Sequence, residues 1–268
     1  MLDLCLNAKL PFLSESRHFY PLIGQEIHFF ESLPSTQDLA LTWARERQVK
    51  SGSVIRAGHQ TAGRGQANNT WLDEGGLNIA CSIIYYPDFG LSPAHTFYLS
   101  KWVSLAVRET LNPLLPEEVV IKWPNDIWYA EKKLAGILIQ TSISGATVQS
   151  AVIGIGININ QDAFGMLDRA TSLKQITGIA YDLERIMQDL LSNLNHWLSA
   201  LEAGRLSQLD EQYIAQLLGL NQKRSFRLPD GQIIQGQVSG IDEHGRLEVV
   251  YNNSVHQFGF KEIEWLIQ

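Results

Sequence analysis

The densest run of groups able to do chemistry is Gln60-Thr61-Ala62-Gly63-Arg64-Gly65-Gln66-Ala67-Asn68-Asn69-Thr70-Trp71. Glycines let backbone N–H groups approach an anion closely, and the Arg64 guanidinium adds a fork-shaped donor suited to carboxylate or phosphate. It is not a Walker A loop, because no Gly-Lys-Ser/Thr follows, and it lacks the third glycine of a Rossmann fingerprint. Further along, Lys122-Trp123-Pro124-Asn125-Asp126 gathers a cation, an aromatic, an amide and a carboxylate, and a short connection leads to Lys132-Lys133-Leu134-Ala135-Gly136. Gly154-Ile155-Gly156-Ile157-Asn158-Ile159-Asn160 alternates small, apolar and amide residues, a pattern in which Asn158 faces a pocket while the isoleucines pack. Alone, the arginine loop reads equally well as a solvated turn. The later segments argue for a shared site for an anionic ligand.

These groups need a scaffold. Ser35 predicts a helix N-cap, with Thr36, Leu39, Ala40, Trp43 and Ala44 recurring at helical spacing through about Arg47. The segments Ser53–Ala57, Asn78–Tyr85, Val119–Trp123, Leu134–Gln140 and Val148–Ile159 are short and β-branched-rich, bounded mostly by Gly, Pro or Asn, and read as sheet strands. Pro124 is expected to stop the ladder and turn Asn125 and Asp126 towards the strand end. Ser92-Pro93 opens a helix with few purely polar positions, expected to be buried on most sides. Two further helices are predicted near Asp182–Ala203 and Ser207–Leu217. From about Lys223 to Gln268 the pattern alternates, with turns at Asp230-Gly231, His244-Gly245 and Asn252-Asn253, and predicts a small β-barrel packed against the larger unit.

The 268 residues, 45% apolar and 18% charged, fit an ordinary globular α+β protein with a mixed sheet covered by helices. A net charge of −7 argues against a purely electrostatic nucleic-acid binder. Cys5 and Cys81 lack a partner at metal-ligand spacing and read as reduced buried thiols. With no secretory leader and no apolar run of bilayer length, a cytoplasmic location without membrane attachment is expected.

Taken together, Ser35-Thr36, the Gln60…Gly63-Arg64-Gly65…Trp71 loop, Lys122-Trp123-Pro124-Asn125-Asp126, Lys133-Leu134-Ala135-Gly136-Ile137-Leu138 and Gly154-Ile155-Gly156-Ile157-Asn158 resemble the biotin protein ligases, over roughly residues 25–268. The resemblance implies an N-terminal extension at 1–24, a catalytic domain at 25–220 related to class II aminoacyl-tRNA synthetases, and an SH3-like barrel at 221–268. It implies activation of biotin with ATP to biotinyl-5′-AMP, then transfer to a lysine of a biotin carboxyl carrier protein domain of a carboxylase. Ser35, Thr36 and Gln60, with Gln37 beside them, would bind the ureido ring. Gly63, Arg64 and Gly65 would hold the valeryl chain and carboxylate, Lys133 and Gly136 would complete that site, and Gln66 would touch both ligands. Trp71, Lys122, Asn125, Asp126 and Asn158 would line the adenylate side. Lys133, Arg64 and Asp126 would carry the catalysis, with magnesium accompanying the phosphates and no fixed protein metal site. This chain departs from many relatives in having Gln66 in place of a second arginine, Asn68 in place of glycine, Thr70 in place of a basic residue and Gln37 in place of asparagine.

A lipoate or octanoate transferase of the same architecture is the nearest alternative. Those relatives carry an Arg-Arg…Gly-Gly-Gly pattern or a nucleophilic cysteine, whereas Cys81 sits in a predicted strand. A biotin-responsive repressor is the alternative from another class. The 24 residues before the core, with Lys9 and Arg17 their fixed cations, are few for a winged helix-turn-helix, so no DNA binding is expected. The resemblance allows either a monomer or a homodimer. His59, next to the loop, reads as structural or solvent-facing, and the other histidines show no ligand spacing.

Overall fold

A computed structural model describes residues 23–66 and 69–267. The expectations for Cys5, Lys9 and Arg17, and for loop residues Ala67 and Asn68, lie outside the described residues. In chain order the elements are β1 (Ile27–Phe30), α1 (Thr36–Glu46), β2 (Ser53–Ala57), β3 (Gly63–Arg64), β4 (Thr70–Trp71), β5 (Ile79–Tyr85), α2 (Phe97–Leu111), β6 (Val120–Lys122), β7 (Asp126–Tyr129), β8 (Lys132–Ser144) and β9 (Thr147–Ile157). They continue with α3 (Leu173–Thr177), α4 (Leu183–Glu202), α5 (Leu206–Ala215), β10 (Lys223–Arg227), β11 (Ile233–Ile241), β12 (Leu247–Tyr251), β13 (Ser254–Phe258) and β14 (Glu264–Leu266).

A seven-stranded mixed sheet runs in the order β1-β2-β5-β9-β8-β7-β6, parallel at β1–β2 and antiparallel elsewhere. One face carries Ile79, Cys81, Ile83, Ile153, Ile155 and Ile157 into the main core with α2 and α4. There the fully buried Trp102 donates its indole N–H to the Leu194 carbonyl at 2.7 Å. Truncating a side chain of that size typically costs about 3–5 kcal/mol. The same helix buries Lys101, 2% exposed, and satisfies its ammonium with Asp210 of α5. Opposite, α1 lays Ala40 and Ala44 on Ile55, Ile84 and Val152. This helix starts where the sequence predicts, because the Ser35 hydroxyl accepts the Asp38 N–H.

A second, antiparallel sheet in the order β13-β12-β11-β10-β14 packs against the first unit. The Trp123 indole donates to the Gly245 carbonyl at 2.9 Å, Arg224 pairs with Glu131 at 2.8 Å, and Phe226 and Val238 belong to the same apolar core as α2. Gly245 has φ +82°, and a Cβ there would lie 2.2 Å from the Phe97 ring, so both backbone sign and space require glycine. Among the described residues no helix is long and apolar enough to cross a membrane.

The sequence reading omits β1, α3, β7 and the short β3–β4 hairpin within the arginine loop. β7 is the instructive case: the ladder does not stop at Pro124 but resumes at once, Lys122 facing Asp126 across the three-residue loop Trp123-Pro124-Asn125. Proline donates no hydrogen bond and fits a hairpin loop as well as a strand end. The helix expected from Ser92-Pro93 is first a 3₁₀ turn, Pro93–His95, and becomes α-helical from Phe97.

Candidate active site

The cavity comes from a change of side-chain size along one sheet face. Under α1 the cross-strand neighbours are Ile84 and Val152. One step further they are Ser82 and Gly154, and the next step brings Ala80 and Gly156, with Gly136 of β8 beside them. Alternate residues of a strand share a face, so bulky side chains give way to almost none and the sheet sinks below the helix. The resulting cavity, about 140 Å³, is lined by Thr36, Gln37, Gln60, Arg64, Gly65, Gln66, Trp71, Asn125, Asp126, Lys133 and Gly136, among others. Its floor cannot be raised. A Cβ on Gly154 would lie 2.7 Å from Gln37 Oε1, and one on Gly156 would lie 2.5 Å from the Trp71 indole.

The inner end is neutral and closely hydrogen-bonded. Gln60 Oε1 accepts from the Thr36 backbone N–H at 2.8 Å and from its hydroxyl at 3.0 Å. The Gln60 backbone N–H is tied to Asp73 at 2.8 Å, and Ser82 Oγ lies 2.9 Å from Thr36 Oγ1. With its carbonyl oxygen used on Thr36, Gln60 has its amide N–H groups left for a ligand. Gln37, 3% exposed, lies beside this group.

The mouth is charged. Lys133 reaches it through a β-bulge. Ile127 faces Ala135 but Trp128 faces Lys133, so Leu134 is the extra residue, fully buried in the core, and Lys133 is turned onto the face of Asp126 and Gly136. Its Nζ lies 2.7 Å from Asp126 Oδ1, and its backbone is pinned to the 169–171 segment, donating to Arg169 at 2.7 Å and accepting from Thr171 at 3.0 Å. Arg64, on the β3–β4 hairpin, pairs with Asp38 in the first turn of α1. Trp71, paired with Gly63, lies against Gly156, its indole N–H buried without a hydrogen-bond partner.

Gln66, Asn69, Asn125, Asp126 and Lys133 also line a wider cleft, about 870 Å³, between the two sheets. Lys122, Arg169, Arg227 and Lys261 face it, with Asp168 and Glu264 as counter-charges. The Lys122 ammonium sits 4.7 Å from the Trp128 ring centroid. Burial holds its amine below the ordinary lysine range, with Asp126 opposing that shift.

Most of the residues named from sequence converge on this joined cavity and cleft. The Ser35 hydroxyl caps α1, and Gly63 backs the loop with Trp71 O 2.7 Å from where its Cβ would stand; neither lines the cavity. Lys122 lines the wide cleft alone. Asn158, beyond the end of β9, is 4% exposed, donates to the Thr171 carbonyl at 2.9 Å and lines neither space. Ser82, Gly154 and Gly156 were missed, although the Gly-Ile-Gly-Ile alternation was their signal: the glycines, not the amide that follows, line the cavity. Arg169, Arg227 and Trp265 were also missed, having no local motif. Cys81 contributes no reactive thiol here, since full burial pushes it up to about 12.

Residues 29–158 match the Biotin/lipoate A/B protein ligase family, and residues 225–260 match the Biotin protein ligase C terminal domain. The chain is 30% identical over 260 residues to Bifunctional ligase/repressor BirA of Bacillus subtilis, an alignment spanning 94% of this chain and 79% of that protein. It is 33% identical over 205 residues to Biotin--[acetyl-CoA-carboxylase] ligase of Mycobacterium tuberculosis, across 73% and 72% of the two chains. Its fold is shared by biotin protein ligase from Aquifex aeolicus in complex with biotin and ATP, with a TM-score of 0.76, 24% identity, and 90% and 98% of the two chains covered. The chain belongs to the biotin protein ligase family.

Proposed function

We infer that this protein activates biotin with ATP and passes it to a lysine of a biotin carboxyl carrier protein domain. The observation that carries the reading is the polarity of two adjoining spaces that share Gln66, Asn69, Asn125, Asp126 and Lys133: a neutral, hydrogen-bonding inner end at Thr36, Gln37 and Gln60 leads to cations at Arg64 and Lys133, next to the cleft lined by Lys122 and Arg169. A cyclic urea at the inner end would send its valerate chain over the glycine floor and place the carboxylate at Lys133. Oxygen attack on the α-phosphorus then forms biotinyl-5′-AMP and releases pyrophosphate. Two anions must meet for this, and Lys133 and Arg64 offset their repulsion where water is scarce.

Among the described residues no group of three or more His, Cys, Asp or Glu side chains is arranged for a metal ion. Magnesium would accompany the triphosphate, where Asp126, Asp168 and Glu264 are the cleft carboxylates that could hold it and charge neutralisation is the chemistry it would supply. In the second step the acceptor amine must lose a proton before it attacks the acyl carbon and expels AMP. Asp126, released from Lys133 once that side chain turns to the ligand, would accept that proton. We assign Ser35 to fixing the helix start that carries Thr36 and Gln37, and Asn158 to holding the 169–171 segment behind Lys133.

The division into 25–220 and 221–268, a synthetase-like catalytic core and an SH3-like barrel are supported by the two separate sheets and the family matches at 29–158 and 225–260. The test is ATP–pyrophosphate exchange with biotin against lipoate as the acid. Exchange with biotin alone supports the reading; exchange with lipoate alone, or with neither, overturns it.

A further inference from the structure

Gln140 has no place in the site as read from sequence, yet it bonds to Gln37, a buried side chain that lines the cavity. It lies on β8 opposite Val152, at the step where the sheet face passes from the bulky pair under α1 to the small Ser82–Gly154 pair. Gln37 enters this boundary from the first turn of α1 and divides its amide between two roles. Its Nε2 donates to Gln140 Oε1 at 3.1 Å and to the Val152 carbonyl at 3.3 Å, while its Oε1 accepts from the Ser82 hydroxyl at 3.2 Å. An amide has two N–H donors and two carbonyl lone pairs, so both donors are used and one acceptor site remains. The Gly154 contact shows how little freedom is left: there is no room for even a methyl group beside that oxygen.

The geometry points to Gln140 as a positioning residue that fixes the orientation of Gln37 and thereby the specificity of the cavity's closed end. With Gln140 accepting, Gln37 turns its carbonyl towards Ser82 and the cavity. Gln60, whose oxygen is held by Thr36, supplies N–H donors at the same end. One acceptor and one donor group side by side match the ring N–H and C=O of a cyclic urea, and a dithiolane ring offers neither complement. If Gln140 could not accept, Gln37 Nε2 would keep only its 3.3 Å bond to the Val152 carbonyl, and the amide would be held less firmly against a flip that presents N–H groups to ring N–H groups and leaves buried donors unpaired.

This assignment rests on reading the cavity as the biotin site. The parent enzyme tests that reading, and the variants test the assignment. Gln140→Met keeps the length of the side chain and removes the acceptor; Gln140→Glu keeps an acceptor. With biotin-dependent exchange established for the parent, Gln140→Met is expected to raise KM for biotin about three- to tenfold, with KM for ATP and kcat at saturating biotin unchanged. Gln140→Glu should stay within about twofold of the parent KM. In a Gln37→Leu background, adding Gln140→Met should change KM for biotin no further, since Gln140 acts only through Gln37. An unchanged biotin KM in Gln140→Met, equal losses in the Met and Glu variants, or additive losses in the double variant would overturn it.

Discussion

The closed end of the cavity and its charged mouth are about equally well furnished with polar groups, but they are held in different ways. At the closed end Thr36, Gln37, Gln60 and Ser82 are buried and bonded to one another, so their orientations are set before any ligand arrives. At the mouth Lys133 and Arg64 are paired with Asp126 and Asp38, side chains 22% and 54% exposed, so an anion reaching either cation would have to compete with a carboxylate. Neutral groups can be fixed in a dry recess at little cost, whereas an unpaired buried cation is expensive. On the proposed reading, recognition falls where the groups are held rigidly and chemistry where charges can be exchanged.

The contrast can be broken most forcefully at Lys133. Lys133→Ala should lower biotin-dependent ATP–pyrophosphate exchange by about 10²–10³, the usual cost of one aimed donor. An exchange rate within a few-fold of the parent would move the chemistry away from the mouth. Next in size, Asp126→Asn should slow transfer from preformed biotinyl-AMP to an acceptor lysine by about 10²-fold. Undiminished transfer would leave Asp126 only the partner of Lys133.

Gln66 lines both spaces and brings no charge to either. Gln66→Arg should lengthen the lifetime of bound biotinyl-AMP about tenfold, a charge-assisted bond being worth roughly 1.5–3 kcal/mol. A dissociation rate that is unchanged or faster counts against a Coulombic role for the loop.

The smallest expected effect sharpens the cost of charge at the mouth. Because burial lowers the Lys122 amine, the native state releases this proton at a lower pH than the unfolded chain. The group therefore opposes folding where both states are protonated, and its penalty fades as pH rises through the folded value. Lys122→Met should raise Tm at neutral pH, by about 2–4 °C for each kcal/mol recovered. The gain should shrink towards alkaline pH, and KM for ATP should rise. No gain in Tm would mean that Asp126 and the Trp128 ring already compensate the burial.

How much of this was legible beforehand depended on whether a signal was local. Ser35 as a cap, the turns at Gly231, Gly245 and Asn252-Asn253, and the strand Ser53–Ala57 all follow from residues acting on their immediate neighbours. The hairpin through Pro124 did not announce itself, because one proline suits either a strand end or a hairpin loop and only the pairing partner decides between them.

The amino-acid sequence by itself determined the alternation of helices and strands, the chemical types gathered near the anion loop and the resemblance to a ligase family. Tertiary structure decided which of those residues meet. The bulge that turns Lys133 to Asp126, the small-residue floor formed by three strands, and the grip of Gln140 on Gln37 are properties of register between segments far apart in the chain. Register is set by the whole buried face at once, so no single segment carries it.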